Sequence, residues 1–362
     1  MPIRRFVSGL LCSAVTASLV FCFAMPAAAG ELKPGVRGVA TRAPAPMKID
    51  GNLAEYKEAF CTPAGYFERD VENRAAQVFY MWDDEAFYVG LRTLDKKQAN
   101  YAKGDLLFDG DGMEWYFDTR RGDDFRSTSW GKGAVHLYFT AYDELAIKPR
   151  WVLRRGFGQA IPSTGVQIGG GKTDHGAQTE FKLPWANFPG FKPAVGEVIG
   201  LDAEVCYSDG GARTARTFAY GSPLSVTQPA SQAAVQLVER LQKEHWKQCG
   251  PVMTPVRCDT EWDQKTRPMV TGLMALPPNH VQQIGKVVFR LLDTQGKTIG
   301  DFAGRTETVQ ADGNFTRSRA MWTSEVAEPG TFLLVAIVYD PQGNELARVA
   351  PRMVSVGNTP GY

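Results

Sequence analysis

The chain is poor in the residues from which most enzyme sites are built. Four histidines, His136, His175, His245 and His280, are spread over 362 residues, and no serine stands in a Gly-x-Ser-x-Gly elbow. No Cys-x-x-Cys-His run is present to attach a haem covalently, and the cysteines follow no zinc-ligand spacing. Charge of either sign is not in excess. A formal net charge of +1 offers no electrostatic footprint for nucleic acid or anionic lipid. Long apolar runs are limited to one, from Phe6 to about Met25. It follows Arg4-Arg5 and leads to Pro26-Ala27-Ala28-Ala29-Gly30, which completes the three parts of a secretory signal. Its uninterrupted part is short for a membrane span, contains Ser and Thr, and has no charged stop after it.

These features predict that residues 1–29 are a cleaved signal peptide and that the product is periplasmic or secreted, with no membrane insertion after cleavage. Cleavage would remove two of the 40 Lys+Arg and none of the 39 Asp+Glu, taking the formal charge from +1 to −1. The remaining length suits two domains, which the sequence places at 30–247 and 248–362. Four cysteines stay with them. An even number in an exported protein favours disulfides, with three connectivities open. Cys249 and Cys258 enclose a short loop with Pro251 and Pro255 and are the favoured pair, leaving Cys61 with Cys206.

What the sequence has in quantity is short aromatic and β-branched runs separated by turn residues. Val78–Trp82 and Phe87–Leu91 flank the acidic turn Asp83–Ala86, a hairpin signature. Met113–Phe117, His136–Ala141, Gln178–Leu183, Ile199–Tyr207 and Arg216–Ala219 continue the pattern, with Gly169-Gly170-Gly171 as a loop signal. Ala233 to Glu239 has the character of a closing strand, and Glu239 to Lys247 holds helix formers. Farther on, Val287–Leu292 and Leu333–Tyr339 each run into an Asp-x-Gln-Gly turn, and Met269–Ala275 is a third strand. The fold class is all-β: a larger β-sandwich followed by a smaller one of immunoglobulin-like character.

With those residues laid out, the first domain resembles the family 9 carbohydrate-binding modules. Five phrases carry the resemblance over residues 45–240 or so. Ile49-Asp50-Gly51-Asn52-Leu53-Ala54-Glu55-Tyr56 is similar to the family's I-D-G-x-L-x-E-W opening, with Tyr56 where Trp is usual. Trp82-Asp83-Asp84-Glu85-Ala86-Phe87-Tyr88-Val89-Gly90 follows, and then Asp111-Gly112-Met113-Glu114-Trp115-Tyr116-Phe117-Asp118. Glu180-Phe181-Lys182-Leu183-Pro184-Trp185 and the stretch from Gly196 to Asp202 complete the order. The resemblance implies a sandwich that binds a carbohydrate or polysaccharide without catalysis. Such folds host several functions, so site chemistry has to be argued from the residues.

A sugar site needs a flat ring beneath the pyranose and polar groups for its hydroxyls. Alternation along strands places Glu114 and Tyr116 on one face and His136 and Tyr138 on one face. Trp130 and Trp151, in polar or irregular surroundings, are the candidates to close over them. Trp82, Trp115 and Trp185 are expected to be structural. Asp109, Asp111 and Asp118 form a carboxylate set that a structural calcium would use, although Asp-Gly pairs are ordinary turns. Beyond that calcium no cofactor is expected. Glu114 and Asp118 share a strand face, as a glycosidase pair would, but two such carboxylates on a sheet are commonplace and the protein is read as no enzyme. The alternatives are a b-type haem domain drawing on Met81, Met113, His136 or His175, and an envelope protein with no small ligand. The C-terminal domain is read as a spacer or a docking module for a protein partner.

Overall fold

The computed structural model describes residues 31–66, 74–95, 97–120, 130–141, 148–155, 164–174, 176–220, 223–249, 257–259, 269–275, 285–303, 305–311, 315–323, 330–348 and 352–356. Residues 1–29, expected to be a signal peptide, and His175 lie outside the described residues. Twelve strands between residues 36 and 238 join into one hydrogen-bonded set. They begin with β1 (Val36–Arg42), β2 (Phe60–Tyr66), β3 (Ala75–Trp82) and β4 (Ala86–Leu94). Next come β5 (Gly112–Asp118), β6 (Ala134–Thr140), β7 (Arg150–Arg155) and β8 (Gln167–Lys172). The set closes with β9 (Gly176–Pro184), β10 (Val198–Ser208), β11 (Arg213–Phe218) and β12 (Ala233–Val238).

Two layers result. One runs β7-β6-β5-β10 and the other β2-β3-β4-β9-β8, with β11 hydrogen-bonded to β10 on one side and β2 on the other. A second connection passes through β12 and β1, which pair in parallel. The inward positions of facing strands meet between the layers. Met113, Trp115 and Phe117 of β5 and Val135, Leu137 and Phe139 of β6 pack on Phe87, Val89 and Leu91 of β4 and Phe181 and Leu183 of β9. Trp115 stacks on Phe87 at 5.7 Å between ring centroids, and Phe139 stacks on Phe181 at 5.1 Å. Burial of this many large rings is the main driving force for the sandwich. Trp82, Trp115 and Trp185 all belong to this core. The indoles of Trp82 and Trp185 donate to the carbonyls of Val238 and Asp83.

The acidic hairpin turn is held by its own first residue. Asp83 Oδ1 accepts the backbone N–H groups of Glu85 and Ala86, and its Oδ2 accepts the Tyr88 hydroxyl. The triple glycine corrects the sequence reading: Gly169, Gly170 and Gly171 lie inside the edge strand β8, paired with β9. Bare backbone is needed there because the loop before Leu53 crosses it closely. A Cβ on Gly169 would lie 2.7 Å from the Ile49 carbonyl oxygen, and one on Gly51 would lie 2.6 Å from Gly170 Cα. Gly51 also has φ +89°, which L side chains resist. Glu180 of β9 completes the crossing by accepting the N–H groups of Asp50 and Gly51 at 2.9 and 2.6 Å. The first and fourth of the ordered phrases therefore meet in one clasp.

After β12 comes one short helix, α1 (Lys243–Cys249). The remaining described strands form two separate sheets. β13 (Arg257–Asp259), β14 (Met269–Ala275), β17 (Arg305–Ala311) and β18 (Phe315–Thr323) make the first, in the order β13-β14-β18-β17. β15 (Lys286–Leu292), β16 (Thr298–Ala303), β19 (Gly330–Tyr339), β20 (Glu345–Arg348) and β21 (Arg352–Val356) make the second. The two Asp-x-Gln-Gly turns follow β15 and β19, which pair with each other. At each turn the Asp carboxylate accepts backbone N–H groups.

The expected disulfides do not form. Cys61, Cys206 and Cys249 are buried free thiols. Cys61 packs with Leu53, Tyr56, Phe79, Met81 and Tyr88, and Cys249 with Val36, Val39, Phe60 and Val238. Cys206 belongs to a polar cluster on β10, described below. An even count suggests pairing, but these side chains serve different surroundings.

Candidate ligand-binding face

The outward residues of β5, β6 and β10 build a continuous polar layer. Register sets Glu114 opposite Tyr138 and Tyr116 opposite His136 on β5 and β6. On the other side of β5, Glu204 stands opposite Glu114 and Asp202 opposite Tyr116. The face expected from alternation is therefore assembled, with Glu114, Tyr116, His136 and Tyr138 side by side. Ring centroids of Tyr116 and His136 lie 4.4 Å apart, and those of His136 and Tyr138 lie 4.8 Å apart.

Four members of the face are not evident from the sequence: Glu204, Cys206, Arg213 and Arg216. Arg213 is the instructive one. Simple alternation puts it with Ala215, whose side chain enters the core. The β10–β11 register shifts by one residue, pairing Tyr207 with Ala215 but Ser208 with Arg213. That bulge flips Arg213 to the Glu114 face. Its Nη1 then donates to Glu114 Oε1 at 2.8 Å and to Glu204 Oε1 at 3.0 Å, and lies 3.4 Å from Cys206 Sγ. Arg216 Nη1 reaches the same Glu204 oxygen at 3.2 Å. His136 Nε2 and the Tyr116 hydroxyl both lie 2.9 Å from Glu114 Oε2. Tyr116 is also 3.0 Å from Glu204 Oε2.

Burial and charge separate the two carboxyl groups. Desolvation pushes Glu114 upward, but His136, Tyr116 and Arg213 outweigh it and hold its pKa below the usual value. Glu204 is pushed up to about 7, first by burial and then by the Glu114 charge, against Arg216 and Arg213. Burial raises the Cys206 thiol well above its ordinary value, reinforced by Glu114 and Glu204. Glu114, Glu204 and Cys206 place three ligand atoms within 4.8 Å of one another. Arg213 Nη1 is the cation that all three share.

Two short turns cover this layer. The turn at Gly104–Asp109 brings Phe108 against Tyr138 at 5.4 Å, and the Arg213 guanidinium lies 5.1 Å over the Phe108 ring. Asn100 fixes that turn by donating to the carbonyls of Leu107 and Asp111, both at 2.9 Å. On the opposite side, buried Asp202 accepts the Ser225 hydroxyl at 2.7 Å and anchors the turn Pro223–Val226. The Val226 carbonyl accepts the Trp130 indole N–H, and Trp130 stacks on His136 at 5.8 Å with 18° between planes. Trp130 thus covers the face. Trp151 does not: it packs against the core, edge-on to Phe181 at 5.8 Å.

The aspartates expected to share a cation have separate tasks. Asp109 Oδ1 accepts the Arg213 backbone N–H, while Asp111 accepts Ala99 N–H and both the N–H and hydroxyl of Ser208. Asp118 grips Arg120 through its side chain and its backbone N–H. Asp111 precedes β5 and Asp118 ends it, so about 20 Å of extended strand lies between them. One ion cannot bridge that distance. The haem donors are likewise apart. Met81 packs in the cluster around Tyr56, Met113 lies between the two layers, and His136 lies on the outer face of β6.

Residues 49–222 match the family model described as carbohydrate family 9 binding domain-like. Glu114, Tyr116, His136, Tyr138, Glu204, Arg213 and Arg216 all fall within that segment. Among solved structures, the chain is similar to a family 9 carbohydrate-binding module from Caldicellulosiruptor kristjanssonii in complex with cellotriose. The identity is 17%, over 60% of this chain and 99% of that one, with a TM-score of 0.45. The same organism's module in complex with glucose matches at 17% identity over 56% and 96%, also with a TM-score of 0.45. None of the curated proteins matches this chain.

Proposed function

We propose, from the family 9-like domain at residues 49–222, that this is an exported protein whose first sandwich binds a carbohydrate without transforming it. The observation that carries the reading is the layer of aromatic and hydrogen-bonding side chains on one sheet face inside the family-matched segment. Trp130 and Phe108 are half-buried at its margin and offer ring surface to a pyranose. The carboxylates beneath them are committed to Tyr116, His136, Arg213 and Arg216, which suits a rigid support better than acid–base turnover. The domain boundary is placed near residue 247, with the C-terminal sheets as a spacer or docking unit.

A glycan array with the full protein tests the reading. The expected result is binding to a defined set of saccharides that Trp130→Ala weakens and Trp151→Ala leaves in place, because only Trp130 lies at the face. Absence of any glycan binding by the unaltered protein would overturn it.

A further inference from the structure

The glutamate side chains of the face are closed to solvent, and those of its two arginines are partly open to it. Side chains of Glu114 and Glu204 are 5% and 0% exposed, against 21% for Arg213 and 42% for Arg216. Every carboxyl oxygen of the pair already lies within hydrogen-bond distance of a protein group. Glu114 Oε1 has Arg213, and its Oε2 has Tyr116 and His136. Glu204 Oε1 has both arginines, and its Oε2 has Tyr116. An arriving molecule therefore meets N–H donors at this edge rather than carboxylate acceptors.

A neutral sugar presents hydroxyl groups, each of which donates as well as accepts, so it gains most from a site offering both. An edge with its glutamates buried and its arginine side chains partly exposed suits a ligand richer in acceptors. The guanidinium groups are also held in place. Arg213 lies over Phe108 at 5.1 Å and Arg216 over Phe218 at 5.4 Å. Both are tethered to the one oxygen, Glu204 Oε1. Arg216 spends only Nη1 on that tether, and among the described residues its other N–H groups make no hydrogen bond. A planar fork with free donors is matched by a carboxylate, which can accept two parallel N–H bonds. Nearby turns add apolar surface: Leu106 belongs to the turn that carries Phe108, Leu224 to the turn that holds Trp130, and Tyr101 precedes the first, all of them exposed.

We propose that this edge recognises a carboxylate-bearing sugar, a hexuronate unit of an oligosaccharide, with Arg216 as the main contact and Arg213 beside it. The inference rests on the carbohydrate-binding reading and narrows its ligand class. Calorimetric titration of the full protein with trigalacturonate and with cellotriose, at low and high salt, tests it. Trigalacturonate is expected to bind the more tightly and to lose affinity as salt rises. Arg216→Gln should weaken it about tenfold or more, with Arg216→Lys between the two, since Lys keeps the charge and loses the fork. Thermal unfolding of both variants checks that the fold is kept. Equal or tighter binding of cellotriose, or trigalacturonate binding indifferent to salt and to Arg216→Gln, overturns the inference and leaves the broader reading standing. Failure of every glycan on the array removes both.

Discussion

Glu114 and Glu204 stand directly opposite each other on β5 and β10, two buried carboxyl groups in a single register pair. Like charges placed so are destabilising in a sheet unless something intervenes. Two groups do so here. Arg213 Nη1 bridges one oxygen of each, and the Tyr116 hydroxyl lies within hydrogen-bond distance of the other oxygen of each. A hydroxyl has one proton, so Tyr116 serves one carboxylate fully at a time. A proton on Glu204 resolves the competition, in keeping with its raised pKa of about 7.

Removing that hydroxyl should be felt as lost stability. Tyr116→Phe keeps the ring against His136 but removes the shared hydroxyl, so Glu204 Oε2 loses the partner given to it and Glu114 Oε2 keeps only His136. A cost of about 1–3 kcal/mol is expected. Urea denaturation at neutral pH measures it, and an unchanged midpoint would show that the hydroxyl contributes nothing.

Stability should fall as pH rises from about 5 to 8. Burial raises Glu180, Asp202 and Glu204 each to about 7 and Asp111 to about 8. A carboxyl whose pKa is higher in the folded state binds more protons there than in the unfolded chain. Its contribution is present at acid pH and lost as pH climbs through the folded value. His245, lowered by burial, acts in the opposite direction but is a single group. Glu114 and Asp340, also lowered, change protonation below this window. For a domain of this size each kcal/mol lost lowers the melting temperature by about 2–4 °C. Melting curves between pH 5 and 8 decide the matter: a midpoint that climbs with pH would contradict the assignment.

The thiols of Cys61, Cys206 and Cys249 should resist modification until the protein unfolds. All three are buried, and burial raises each thiol pKa, to about 12 for Cys249 and well above the ordinary value for the other two. Maleimide labelling followed by mass measurement is expected to add little in native buffer and one adduct per thiol in denaturant. Prior reduction should not alter the denatured count for these three. Rapid native labelling would contradict their burial.

Much of the face was legible from alternation. Glu114, Tyr116, His136 and Tyr138 needed only period-2 spacing and the assumption that their strands are neighbours, and β5 and β6 are. Arg213 escaped because its orientation depends on a bulge, and Glu204 and Cys206 because nothing local marks a buried polar residue in an apolar strand. Trp130 and Trp151 look alike in sequence. One rests on His136 and the other on Phe181, a difference set by neighbours far along the chain. Triple glycine suggested a loop, yet those residues extend as an edge strand because another segment crosses them.

Side-chain periodicity and turn chemistry act over a few residues, and they were enough to make this chain all-β. They also sent Met113, Trp115 and Phe117 to a core, while the resemblance of five ordered phrases pointed to a family 9-like sandwich. What the polar side of β5 can offer a ligand was fixed later, by packing. Two carboxyl groups placed opposite each other under Trp130 and Phe108 lost their access to solvent, and a one-residue shift in β11 supplied the arginine between them. Burial and register are properties of strands brought together, so packing closed the glutamates of the face and left its arginine side chains partly exposed.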